Sequence, residues 1–195
     1  MGLPIEQLVV ATNQNDILHR CLSGEGYFKG ETIPSISPSM DIQVSSNFER
    51  ALFEVYDRDG GAVAQLMDEL KGQGGFRISQ GALERLRGLF ASGRCSEDET
   101  LAMIARANAQ MGELLCPHSA VGVHVADMER RSDRPMITLG TAHPAKFPAA
   151  VNAAAGVNPA LPERLADLHE RPERYEVLAN DQRVVEEFIS ARSRA

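Results

Sequence analysis

Leu8-Val9-Val10-Ala11 is a short apolar run rich in β-branched residues, and polar Thr12-Asn13-Gln14-Asn15-Asp16 follows it. Branched side chains suit the pleated surface of a strand. Ile17-Leu18 then opens a helix that Asn15 or Asp16 can cap by accepting free backbone N–H groups, and Gly24 and Gly26 end it. Met136-Ile137-Thr138-Leu139 begins a second such unit. Gly140-Thr141-Ala142-His143 follows, then Pro144, whose missing N–H costs nothing at a first helical position. Gly156 closes that helix. Apolar runs that lead through short loops into helices predict buried parallel strands.

Between these units the pattern is helical. Ser46 with Glu49 has the spacing of a capping box ahead of Ala51, Leu52, Phe53 and Val55, and Ser96 with Glu99 has it ahead of Leu101, Ile104 and Ala105. Leu83, Leu86 and Leu89–Phe90 recur at helical spacing from Gln80. Pro117 opens a helix through Val121, Val125 and Met128, with Arg130 and Arg131 at its negative end. Gly72, Gly74 and Gly75 mark a loop, as do Pro34 and Pro38. A short strand at Tyr175-Glu176-Val177-Leu178 precedes a last helix from about Asp181, with Val184, Val185, Phe188 and Ile189 on its apolar side. Helices outnumber strands. The expected fold is therefore α/β, an incomplete three-layer sheet with many helices, whose edges call for further strands or helical cover.

Composition narrows the function. The 195 residues, 43% hydrophobic and 24% charged, suit one globular domain. The net charge of −7 repels phosphodiester backbones and argues against nucleic acid as a partner. No apolar run is long enough to span a membrane. The first residues lack the basic and apolar regions of a signal peptide. Cys21, Cys95 and Cys116 are odd in number and widely spaced, which suits a reducing compartment. A cytoplasmic protein is expected.

Candidate chemistry centres on Gly140-Thr141-Ala142-His143. In open α/β sheets ligands bind beyond the carboxyl ends of strands, and a helix amino terminus follows directly here. A hydroxyl and an imidazole at that place could meet a cofactor, or Thr141 could cap the helix while His143 bonds locally. Lys146, one of three lysines with Lys29 and Lys71, lies in the first turn, where a cation calls for a nearby anion. Cys116-Pro117-His118 with His124 and His143 matches no closed zinc set, so no metal is expected. Ser119, His118 and Asp127 have the residue types of a triad, but adjacent residues do not meet across a reaction centre, and no nucleophile elbow is present. Gly24-Glu25-Gly26 lacks the third glycine of a dinucleotide loop. Asp41 reads as a turn acid and Glu49 as a capping residue.

Four stretches, in this order, resemble threonine synthase. They are Gly2-Leu3-Pro4-Ile5 through Val10-Ala11-Thr12-Asn13 with Asn15-Asp16; Ser37-Pro38-Ser39-Met40-Asp41-Ile42 with Ser45-Ser46-Asn47-Phe48-Glu49-Arg50; Pro117-His118-Ser119-Ala120-Val121-Gly122; and Thr141-Ala142-His143-Pro144-Ala145-Lys146-Phe147. The resemblance implies a pyridoxal-phosphate enzyme of fold type II that converts O-phosphohomoserine and water into threonine and phosphate. It implies that Thr141 lies at the pyridine nitrogen of the cofactor. His143 and Lys146 match the motif without an assigned contact, and Ser119 stands where the family more often has threonine. In the family, the Schiff-base lysine and a glycine-rich phosphate loop precede the segment matched by Met1. Residues 1–195 are thus expected to be the carboxy-terminal part of the catalytic domain, with a helical insertion at about 54–112. The amino-terminal half would be the missing partner, and the chain alone would be inactive. The rival expectation is a truncated, non-catalytic interaction or regulatory module.

Overall fold

The computed structural model describes residues 4–131 and 133–193; Gly2 and Leu3, which open the first motif, lie outside them. The chain divides into two units, Met1–Ala160 and Leu161–Ala195. The fold is mixed α/β, with eight α-helices and two small sheets among the described residues.

In the first unit, β1 (Leu8–Thr12) pairs in parallel with β4 (Phe90–Arg94), from Leu8 opposite Phe90 to Thr12 opposite Arg94. Strand neighbours point to opposite faces, and β1 is apolar on both. Val9 and Ala11 pack with Cys95, Val121 and Val125 beneath α6 (Pro117–Glu129). Val10 and Phe90 join the larger core of α1 (Ile17–Ser23), α2 (Phe48–Val55), α3 (Gly60–Gln73) and α4 (Gln80–Leu89) on the other side. This is the expected three-layer arrangement, reduced to two strands. In that larger core Tyr27 of β2 (Tyr27–Phe28) is sandwiched between Phe48 at 5.3 Å and Phe76 at 4.9 Å. Phe76 belongs to β3 (Gly75–Phe76), antiparallel to β2. A third core joins α5 (Glu97–Met111), α6 and α7 (Pro148–Ala155) through Met103, Ile104, Ala120 and Ala154.

The helix boundaries have local causes. Ser96 accepts from the Glu99 N–H while the Glu99 carboxylate accepts from Ser96, so the expected capping box opens α5. These bonds also hold the Glu99 carboxyl below its ordinary pKa. The Ser46–Glu49 box does not form. Helix α2 starts at Phe48 with Asn47 at the cap, which puts Glu49 one position too early for reciprocal bonding. Asp16 stands at the cap of α1 without bonding its N–H groups, because its carboxylate takes Arg20 Nε at 2.9 Å and Arg94 Nη1 at 3.4 Å instead.

Two expected strands are absent. Residues 136–139 are irregular, with Ile137 81% and Leu139 77% exposed, and residues 175–178 are irregular with Val177 85% exposed. A strand exists only by pairing, and neither stretch has a described neighbour to pair with. The expected helix after Pro144 is split into a 3-10 turn at Pro144–Lys146 and α7, because Pro148 supplies no N–H to continue the first turn. The three cysteines are free and buried, and burial pushes the Cys21 thiol up to about 12. No helix of the described residues is long and apolar enough to cross a membrane.

In the second unit, α8 (Gln182–Arg192) is capped by Asp181, whose carboxylate accepts from Val184 N at 3.1 Å. Arg192 bonds both Glu176 carboxylate oxygens and lies over the Phe188 ring at 3.8 Å.

Candidate functional site

Beyond the carboxyl end of β1 the chain enters a buried polar network. Asn13, Asn15 and Ser37 are each at most 3% exposed. Asn13 Nδ2 donates to Asp41 Oδ1 at 2.7 Å, and Asn15 Nδ2 reaches the same oxygen at 3.0 Å. Ser35 Oγ also donates to that oxygen, at 2.6 Å, while Ser35 N bonds Asp41 Oδ2 at 2.8 Å. Asn15 Oδ1 accepts from Ile33 N at 2.8 Å, which pins the intervening loop. Asp41 is therefore the acceptor that ties the loop after β1 to the Ser37–Asp41 stretch. Asp41 does close the Pro38–Met40 turn, but its carboxylate acts at longer range, and Asn15, expected with Asp16 as a possible cap of α1, bonds this network instead.

One step away, His118 in the first turn of α6 joins three sequence-distant stretches. Its Nε2 accepts from Ser39 N at 3.3 Å, and its ring lies 4.6 Å from that of Phe147. An accepting Nε2 leaves the proton on Nδ1, which is buried and has no hydrogen-bond partner among the described residues. Burial lowers the His118 pKa, the Lys146 cation lowers it further, and Asp41 opposes both. The unfolded chain therefore takes up the proton first. Stability is complete above about pH 6.5 and falls as pH drops below that value. His118→Gln is expected to flatten this loss, measured as urea midpoints between pH 7.5 and 5.

Thr141 lies at the other edge of α6. Ser119 Oγ accepts from Thr141 N at 3.1 Å and lies 3.3 Å from Thr141 Oγ1. Cys116, the cap of α6, accepts from Ser119 N and donates to Ser119 Oγ, each at 3.3 Å. Ser119 is buried and Thr141 is exposed. An open cavity of about 190 Å³ adjoins Ser119 and Cys116, walled by Leu115, Val123, Leu139 and Ala142, with Gly140 and Ala142 rather than Thr141 itself in its lining.

The other predicted site residues are local. His143, rather than Thr141, caps the 3-10 turn by accepting from Ala145 N at 3.2 Å. The Lys146 ammonium lies 5.9 Å from the centre of the Phe147 ring. His118, Ser119 and Asp127 do not form a triad, for His118 bonds Ser39, Ser119 bonds Cys116 and Thr141, and Asp127 pairs with Arg106. Cys116, His118 and His143 belong to no group of metal-ligand atoms among the described residues. Cys95, Glu99 and His124 do converge, with ligand atoms within 4.8 Å of one another. Glu99 there already caps α5, and a cation would face the positive end of that helix.

Comparison with known proteins agrees with the fold. The family described as "Threonine synthase, C-terminal" matches residues 119–189. Threonine synthase of Pseudomonas aeruginosa is 53% identical over 192 residues, covering 97% of this chain and 41% of that protein. The PLP-bound crystal structure of threonine synthase from Brucella melitensis superposes with a TM-score of 0.91 and 52% identity, covering 100% of this chain and 42% of that one. The yeast threonine synthase crystal structure gives 0.83 and 35%, covering 97% and 42%. The chain thus spans about two-fifths of the length of these relatives. Along nearly its whole length it is similar to the carboxy-terminal part of threonine synthases.

Proposed function

We propose that this chain is the carboxy-terminal part of a pyridoxal-phosphate-dependent threonine synthase, a lyase that converts O-phosphohomoserine and water into L-threonine and phosphate. Its partner is an amino-terminal portion like that of its relatives, which supplies the Schiff-base lysine and the phosphate loop. The complete enzyme works in the cytoplasm, in threonine biosynthesis. Residues 1–195 are one part of its catalytic domain, in which the stretch from about 54 to 112 supplies β4 beside β1 as well as helices α3 to α5.

The observation that carries this reading is the Thr141 hydroxyl, held 3.3 Å from buried Ser119 with its other side exposed, while an apolar-walled cavity opens beside Ser119. The residues present fit the cofactor's ring edge. Thr141 offers a neutral hydroxyl to the pyridine nitrogen, and a neutral group does not hold a proton on that nitrogen as a carboxylate would. Leu115, Val123, Leu139 and Ala142 supply apolar wall. When bound, the cofactor provides the electron sink for carbanions formed next to it, and the protein orients it and tunes its electronics. The Asp41 network holds the loop after β1 rigid at the same end of the sheet.

One observation favours a non-catalytic interaction module. Ile137 and Leu139 are apolar and exposed, as a surface awaiting any partner would be.

Mixing this chain with the amino-terminal portion of the Pseudomonas aeruginosa enzyme discriminates the two. Phosphate and threonine are expected from the mixture and from neither part alone. Thr141→Ala should lower the rate of the mixture about 10–100-fold, the value of one to two tenfold steps for a lost polar contact. Threonine formation by the purified chain alone would remove the need for a partner. A mixture that stays inactive, while the relative's own two parts are active together, would favour the module.

A further inference from the structure

We propose that Ser119 is a positioning residue that fixes the Thr141 hydroxyl as a hydrogen-bond donor toward the ring nitrogen of the cofactor. This rests on the reading of Thr141 given above.

The hydrogen-bond directions can be counted. A serine hydroxyl has one proton and two acceptor sites. Both acceptor sites of Ser119 Oγ are filled, one by the Thr141 N–H at 3.1 Å and one by the Cys116 S–H at 3.3 Å. The Ser119 proton is then left for Thr141 Oγ1 at 3.3 Å, its remaining partner among the described residues. Thr141 Oγ1 therefore accepts on its buried side. Its own proton must point elsewhere. Cys116 Sγ, at 3.9 Å, is a long contact to a weak acceptor that is already bonded by Ser119 N. The open direction is the exposed face of Thr141.

The consequence is chemical. A donor hydroxyl suits a ring nitrogen that carries no proton, whereas an accepting hydroxyl would suit a protonated one. The chain Cys116–Ser119–Thr141 selects the donor. Cys116 and Ser119 both belong to the start of α6, one capping it and the other in its first turn, so the helix itself orients the relay. Threonine at position 119 would keep the same hydroxyl, and alanine would lose it. Without Ser119, Thr141 is free to turn and accept, and protonation of the ring nitrogen becomes easier.

The test has two arms, neither of which reads activity. In the chain itself, side-chain coupling constants measured by NMR report the Thr141 rotamer. A single rotamer is expected in the wild type and in Ser119→Thr, and averaging in Ser119→Ala. In the mixture with the relative's amino-terminal portion, pyridoxal phosphate labelled with 15N in the ring reports protonation of that nitrogen as a function of pH. Ser119→Ala should raise the pH at which it titrates by about one unit, the scale of one ordinary hydrogen bond, and Ser119→Thr should restore it. An unchanged rotamer in Ser119→Ala overturns the proposal. So does a ring titration that moves in Thr141→Ala but not in Ser119→Ala, although the reading of Thr141 then stands. A titration that moves in neither variant overturns the placement of Thr141 and the relay with it.

Discussion

Replacing Asp41 with alanine is expected to destabilise the protein by about 3 kcal/mol, among the larger effects of single substitutions. Four donors converge on its carboxylate: the amides of Asn13 and Asn15, and the hydroxyl and backbone N–H of Ser35. Bonds to an ionised acceptor each contribute about 1.5–3 kcal/mol, and removing the acceptor strands donors in a region that is mostly dry. Asn13 and Asn15 are 3% exposed. Asp41 itself is half-buried, so water can replace part of what is lost, and this keeps the total well below the sum. Asn13 also retains contacts to Ser35 and Ser37, which limits the damage further. Asp41→Asn keeps the shape and one oxygen but turns a donor toward donors, so a smaller loss of about 1–2 kcal/mol is expected. Urea unfolding measures both. A midpoint within error of the wild type for Asp41→Ala would mean that the network adds nothing to stability.

The network was hard to read from sequence for a physical reason. Asn13 and Asp41 are 28 residues apart, and no local spacing rule links them. What was legible depends on local chemistry. The branched residues of β1, the Ser96–Glu99 box and Pro117 each act within a turn or two, and each element formed where expected. The Ser46–Glu49 pair had the right letters but failed, because the onset of α2 is also governed by Tyr27, whose hydroxyl accepts from Ser45 N at 2.7 Å. Strands were the weakest reading. Residues 136–139 have strand-like side chains and no described partner, whereas Phe-Ala-Ser-Gly-Arg, with poor strand propensity, forms β4 because β1 lies beside it. Thr141 was singled out through its motif. Ser119 entered only as a member of a rejected triad and as a departure within its motif, and its bond to Thr141 N, 22 positions away, carries no signal in the chain.

Gly93→Val is expected to destabilise the protein by about 2–3 kcal/mol, although residue preference alone predicts the opposite. Glycine weakens a strand interior and valine favours one, a difference of up to about 1 kcal/mol in valine's favour. The packing decides otherwise. A Cβ on Gly93 would lie 2.7 Å from Val125 Cγ1 and 3.2 Å from Cγ2, closer than real Cβ contacts approach. Val125 is fully buried on α6, and a β-branched residue in a helix has essentially one rotamer, so it cannot turn aside. Helix α6 must then lift from the sheet, at an overpacking cost that exceeds the propensity gain. Because α6 carries Ser119 and His118, the same shift should disturb the Thr141 contacts, seen as faster exchange of the Thr141 amide hydrogen. Gly88→Ala is the control of opposite sign. That glycine is helical and has nothing within 4 Å of its would-be Cβ, so a gain of about 0.5–1 kcal/mol is expected there. If Gly93→Val instead raised the urea midpoint as Gly88→Ala should, the close approach of α6 to β4 would not be what fixes this position as glycine.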